Sequence, residues 1–118
     1  MFSLLALDTN EAPDALAMAK GETRALNYRL LENGLPKSVT GLTFKFAAKS
    51  HVEDEAYKIE PVTATPIEGQ TGEFSFTVSP AAIFNGLYEI AMYDATPHKT
   101  VLTRPGGLVC RVHEDIID

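Results

Sequence analysis

Leu42-Thr43-Phe44-Lys45-Phe46-Ala47-Ala48-Lys49 is the stretch that decides the fold. Its large apolar side chains fall at every second residue, and a β-strand sends successive side chains to opposite faces. Leu42, Phe44, Phe46 and Ala48 therefore share an inward face, and Thr43, Lys45, Ala47 and Lys49 share an outward one. This is the pattern of a strand with one side in a core and one in water.

The same period recurs on both sides of that stretch. In Ala25–Leu31 the inward set is Leu26, Tyr28 and Leu30, with Asn27 and Arg29 outward. In Glu73–Val78 it is Phe74, Phe76 and Val78, and in Leu87–Asp94 it is Tyr88, Ile90 and Met92. In Leu108–His113 it is Leu108, Cys110 and Val112, with Arg111 and His113 outward. Shorter strand candidates fill the gaps. Leu16–Lys20 follows the breaker Pro13, and Thr100–Thr103 is β-branched. Ala56–Thr63 puts Tyr57 and Ile59 on one face, and its Pro61 confines the end to an edge or a bend.

Turn chemistry separates these runs: Asn33-Gly34-Leu35-Pro36, Gly69-Gln70-Thr71-Gly72, Asn85-Gly86, Thr96-Pro97-His98 and Pro105-Gly106-Gly107. The last reads as a bulge or hairpin. Ser79-Pro80-Ala81-Ala82-Ile83-Phe84 carries an N-cap Ser, Pro at the first helical position and Asn-Gly at the stop, so one short helical turn is expected there. It would set Ile83 or Phe84 over one end of the core. Tyr88, near the start of its strand, is expected to bond back to nearby backbone as a corner tyrosine.

Many short strands, regular turns and no long helical period define an all-β chain. The expected fold is an immunoglobulin-like antiparallel β-sandwich of about seven to nine strands with one short helical turn. The 118 residues fit a single domain, large enough to bury roughly two-thirds of its unfolded surface. Residues 21–118 would form the sandwich, with residues 1–20 as an N-terminal strand or an arm packing on a partner.

Hydrophobic residues make up 45% of the chain and charged ones 22%, the balance of a globular protein. The formal net charge of −6 repels phosphate backbones and anionic lipid, so no nucleic-acid or membrane partner is expected. Phe2–Leu7 is apolar, but no Lys or Arg precedes it and Asp8 ends it early, so no signal peptide is expected. The single cysteine, Cys110, lies in an apolar alternation and reads as a small buried hydrophobe.

Reactive chemistry leaves no mark. His51, His98 and His113 are isolated, without the close pairing of a zinc site. Glu53-Asp54-Glu55 lacks the spacing of a calcium loop and reads as a solvated tip. There is no Gly-x-Ser-x-Gly elbow, and none of the sixteen Asp and Glu is distinguished by its setting. No catalytic, cofactor-binding or metal-ligating residue is expected, and the chain reads as a structural or binding part. Tyr93 is expected to point outward, where a tyrosine can mark an interface.

In order, the chain shows Gly21-Glu22-Thr23, Leu26-Asn27-Tyr28-Arg29-Leu30, Asn33-Gly34-Leu35-Pro36 and Val39-Thr40-Gly41-Leu42-Thr43-Phe44-Lys45-Phe46. Gly72-Glu73-Phe74-Ser75-Phe76, Gly86-Leu87-Tyr88 and Pro105-Gly106-Gly107-Leu108-Val109-Cys110-Arg111-Val112 follow. This succession, from Gly21 to Val112, resembles the N-terminal immunoglobulin-like domain of phage upper baseplate proteins. Met1–Lys20 lies outside the pattern, and the further segments usual after that domain are not matched. The resemblance implies a non-enzymatic structural protein of a phage or prophage tail or baseplate. It would be made in the host cytoplasm, reside in the virion, form a homo-oligomer and dock other tail or baseplate proteins. The alternative is a small carbohydrate-binding β-sandwich, which needs an exposed aromatic platform or a polar pocket.

Overall fold

The computed structural model of the chain describes residues 1–114. The alternating segments become strands. In chain order they are β1 (Phe2–Ala6), β2 (Leu16–Ala19), β3 (Arg24–Glu32), β4 (Leu35–Pro36), β5 (Thr43–Lys49) and β6 (Ile59–Thr63). β7 (Thr65–Pro66), β8 (Glu73–Val78), β9 (Phe84–Tyr93), β10 (Lys99–Val101) and β11 (Leu108–His113) follow. One sheet runs β1-β3-β8-β7, with β4 also on β3; the other runs β2-β11-β9-β5-β6, with β10 also on β9. In the letters of an immunoglobulin sandwich, β1, β3, β8 and β7 stand at A, B, E and D, and β5, β9 and β11 at C, F and G.

Every pairing is antiparallel except β2 with β11, where Leu16 lies beside Cys110 and Ala19 beside His113 in parallel register. The exception arises because the first strand crosses between sheets. After β1 the chain turns tightly, with Ala6 N–H donating to the Glu11 carbonyl at 2.7 Å and Asn10 at φ 57°. It then lands on the second sheet. Residues 1–20, expected as a strand or an arm, thus contribute a strand to each sheet and bury Leu4 and Met18 in the core.

The inward sets read from the alternation are the core. Leu26, Tyr28, Leu30, Phe44, Phe46, Ala48, Phe74, Phe76 and Val78 are all buried, as are Tyr88, Ile90, Met92, Leu108, Cys110 and Val112. Leu42, expected inward, is half-buried just ahead of β5 and packs on the core margin. Aromatic rings bridge the sheets: Phe44 stacks on Phe74 at 3.9 Å between centroids, and Phe46 meets Phe76 at 5.8 Å. Such pairs add specific geometry to the area they bury.

Four expectations are corrected. The described residues form eleven strands, because β4 and β7 are two-residue pieces and β10 and β11 are two halves of one broken strand. Residues 102–107 between those halves span only Glu89 and Ile90 of β9. Gly107, at φ 85°, sits where a Cβ would come within 3.0 Å of the Tyr88 carbonyl.

The helical turn at Ser79–Phe84 does not form; among the described residues there is no helix. Ser79 Oγ is 2.8 Å from Thr23 Oγ1, and the Pro80 carbonyl accepts from Gly21 N–H at 2.9 Å. These long-range bonds outcompete a single turn, whose nucleation is unfavourable.

Asn85-Gly86 is not a turn but lies inside β9. A Cβ on Gly86 would fall 2.1 Å from the Lys49 carbonyl, so glycine is there for close backbone approach. The Asn33-Gly34 reversal, by contrast, forms as expected: both residues take positive φ, 53° and 82°, the signature of a type I′ hairpin turn.

Tyr88 does bond to backbone, but not nearby. Its hydroxyl donates to the Asp14 carbonyl at 2.6 Å, 74 residues away in sequence, and ties β9 to the crossover before β2. Burial disfavours the phenolate, holding the Tyr88 hydroxyl well above the usual tyrosine range and pushing the Tyr28 hydroxyl up to about 12.

Two substitutions separate packing from this tie. Phe46→Ala is expected to cost about 3–5 kcal/mol, the range for deleting a buried ring. Tyr88→Phe is expected to cost about 1 kcal/mol, the net worth of one hydrogen bond. Urea denaturation measures both, and a loss of under about 0.3 kcal/mol for Tyr88→Phe would show that the tie contributes nothing.

Candidate functional site

The two sheets show different faces to water. Outside the five-stranded sheet lie Ala25, Asn27 and Arg29 of β3 beside Thr77, Ser75 and Glu73 of β8. The Arg29 guanidinium pairs there with Glu73 across the strands, which accounts for the buried carboxylate; Arg29 Nε is buried without a partner.

The six-stranded sheet is more apolar outside. Register sets its outer side chains in rows. Thr43, Tyr93 and Lys99 form one row, and Lys45, Ala91 and Val101 the next. Ala47 lies opposite Glu89, and Lys49, Leu87 and Val109 form the last row. Val52 is 54% exposed, Tyr57 and Val101 40%, and Val109 41%, so four of the seven exposed large hydrophobics among the described residues lie on or beside this one face.

A groove of about 310 Å³ runs over these rows. Ala47, Leu87 and Ala91 form its floor, Tyr57 and Tyr93 stand in its walls, and Lys45, Lys49, Lys99 and Glu89 supply its charges. The loop His51–Glu55 borders it through Val52. Lys49 Nζ lies 4.9 Å from the Tyr57 ring centroid and Lys45 Nζ 5.5 Å from that of Tyr93, both cation–π contacts. None of the three lysines takes part in an ion pair among the described residues. On a chain of net charge −6 the groove is a basic strip with an apolar floor.

A second hollow, about 260 Å³, lies at the crossover between β1 and β2. Its edges carry Asp8, Glu11 and Asp14 against Arg24, with Tyr28 and Tyr88 at its base.

The residues weighed as reactive groups stay apart. His51 sits in an exposed loop, its Nδ1 3.6 Å from Asp54 Oδ2; His98 lies in the β9–β10 loop and His113 at the end of β11. Among the described residues no group of three or more His, Cys, Asp or Glu is placed to hold a metal ion. Cys110 is fully buried, and burial pushes its thiol up to about 11.

Sequence reading missed the groove. Lys45 and Lys49 were legible as outward residues, but their neighbours on β9 and β10 depend on register. The alternation puts Tyr57 on the same face as Ile59. It lies before β6 begins, and β5–β6 register shifts between Phe46 and Ala48, so Ile59 turns in while Tyr57 stays out under Lys49. Tyr93 is outward as expected.

No family model matches the sequence, and no curated protein matches it. Fold and surface together define a β-sandwich that presents a basic, tyrosine-walled groove on the outer face of its larger sheet.

The groove's rim near Tyr93 is held by the β9–β10 loop. Asp94 Oδ1 accepts from Thr96 N–H at 2.9 Å, His98 N–H at 2.7 Å and the Thr96 hydroxyl. These bonds favour the carboxylate and lower Asp94 from 3.8 to about 2. A depressed carboxyl stabilises the fold above its ordinary value, and that contribution is lost as pH falls through the folded value. The Thr96 and His98 amide resonances should therefore titrate with a midpoint near 2. A midpoint near 3.8 would show that the loop is open in solution.

Proposed function

We propose that the chain is a non-enzymatic structural module of a phage or prophage tail or baseplate, and that it works by docking through the outer face of its six-stranded sheet. The carrying observation is the concentration of Val52, Tyr57, Val101 and Val109 with Lys45, Lys49 and Lys99 on that face. Exposed apolar area rimmed by charge is what a protein contact uses. The ordered motifs from Gly21 to Val112 supply the tail and baseplate context. In this reading the partners are other tail or baseplate proteins and further copies of the chain, and the site of action is the virion.

A second reading, a carbohydrate-binding sandwich, is favoured by the two tyrosines in the groove walls. Against it, both rings already carry a lysine ammonium, so a sugar stacking there would have to displace the cation.

Mass spectrometry of purified particles from cells that produce the chain is the direct test. The chain is expected in the tail fraction at a fixed ratio to other tail proteins; its absence from particles overturns the reading. Sugar-array binding at micromolar strength, abolished by Tyr57→Ala, would decide for the carbohydrate reading.

A further inference from the structure

We infer that the groove receives the acidic crossover loop, Asp8–Asp14, of a second copy of this chain, so that copies associate head to tail. The inference rests on the docking reading of the six-stranded sheet and names its occupant.

The first ground is charge. The groove offers Lys45, Lys49 and Lys99 against the single Glu89. The crossover loop offers Asp8, Glu11 and Asp14. A two-fold pairing centred on the groove would bring Lys45 and Lys49 close to their own counterparts, and like charges face to face are repelled. The loop of another copy brings carboxylates instead.

The second ground is shape. Residues 8–12 and 14 are exposed, and their loop edges the hollow at the β1–β2 crossover. Their conformation is set in advance by the Ala6 N–H bond to the Glu11 carbonyl, the Asn10 N–H bond to the Ala6 carbonyl at 2.8 Å, and the Tyr88 hydroxyl on the Asp14 carbonyl. A loop already ordered loses little entropy on docking. Ala12 and Pro13, between the carboxylates, match the alanine and leucine floor of the groove.

The third ground is placement. The loop lies at the β1–β2 margin and the groove on β5, β9 and β10, so each copy carries both halves of the contact on separate surfaces. A contact of this kind is heterologous: it closes into a ring or continues as a filament.

Sedimentation equilibrium on the full chain tests this at low and high salt. The weight-average mass should rise with concentration to at least about twice that of the monomer, and fall back at high salt, where exposed charges are screened. Lys45→Glu with Lys49→Glu should abolish the rise, and so should Asp8→Lys with Glu11→Lys. Asp8, Glu11 and Lys45 are exposed and Lys49 is half-buried outside the core, and circular dichroism checks that both variants keep the sandwich.

Mixing the two variants is the decisive arm, because the reversed loop then faces the reversed groove and the native loop the native groove. Equal mixing should restore the wild-type mass. A wild-type chain that stays monomeric overturns the inference. So does a groove variant that loses association while the loop variant keeps it, since the partner surface is then not the loop. A monomeric chain that is nevertheless found in tail fractions would remove this contact and leave the tail reading standing.

Discussion

The contact between the two sheets at Phe44–Phe74 and Phe46–Phe76 is what the other features rest on. Each pair joins β5 of one sheet to β8 of the other, and each partner belongs to a Phe-x-Phe segment whose middle residue, Lys45 or Ser75, must then face water. Phe46 also stacks on Tyr88 at 5.2 Å and carries the cluster to β9. Fixing these rings fixes register, because a slip of one residue on either strand would exchange core and solvent faces. The groove follows from the same constraint. Lys45 and Lys49 can stand beside Ala91 and Leu87 only while Phe44, Phe46 and Ala48 point inward.

Much of this was legible in the sequence, because burying every second residue leaves a trace in composition. The five alternating segments became the five longest central strands, and the inward sets became the core. What was lost depends on contacts between distant residues. Nothing local tells that Ser79 will meet Thr23, or that Gly86 will be pressed against the Lys49 carbonyl, so a helical turn is expected in what is an irregular link between β8 and β9, and a tight reversal where β9 runs straight on. Two-residue strands such as β4 and β7 are shorter than one alternation and carry no period. The groove was illegible for a related reason: it is assembled from β5, β9 and β10 by pairing, and Tyr57 joins it only because of the irregular β5–β6 register.

The surface divides its charges. The chain is acidic as a whole, which keeps copies soluble and apart at long range. Three of its ten basic side chains nevertheless gather in one groove, two of them over tyrosine rings. Such a strip attracts at short range what the net charge repels at long range. A contact made through it would be selective for a local acidic feature rather than for any neutral surface.

The sheet rims carry a final consequence. β6 contains Pro61, β7 ends at Pro66, β10 is three residues long and β2 four. Proline has no N–H to offer a neighbouring strand, and so short a rim offers few ladder bonds. Growth by strand addition, which makes fibrils hard to dissolve, is therefore disfavoured at these borders. β1, five residues without proline and paired only with β3, is the one outer strand of that length left open; copies joined instead by faces and loops would remain separable parts that can be put together in order and taken apart again.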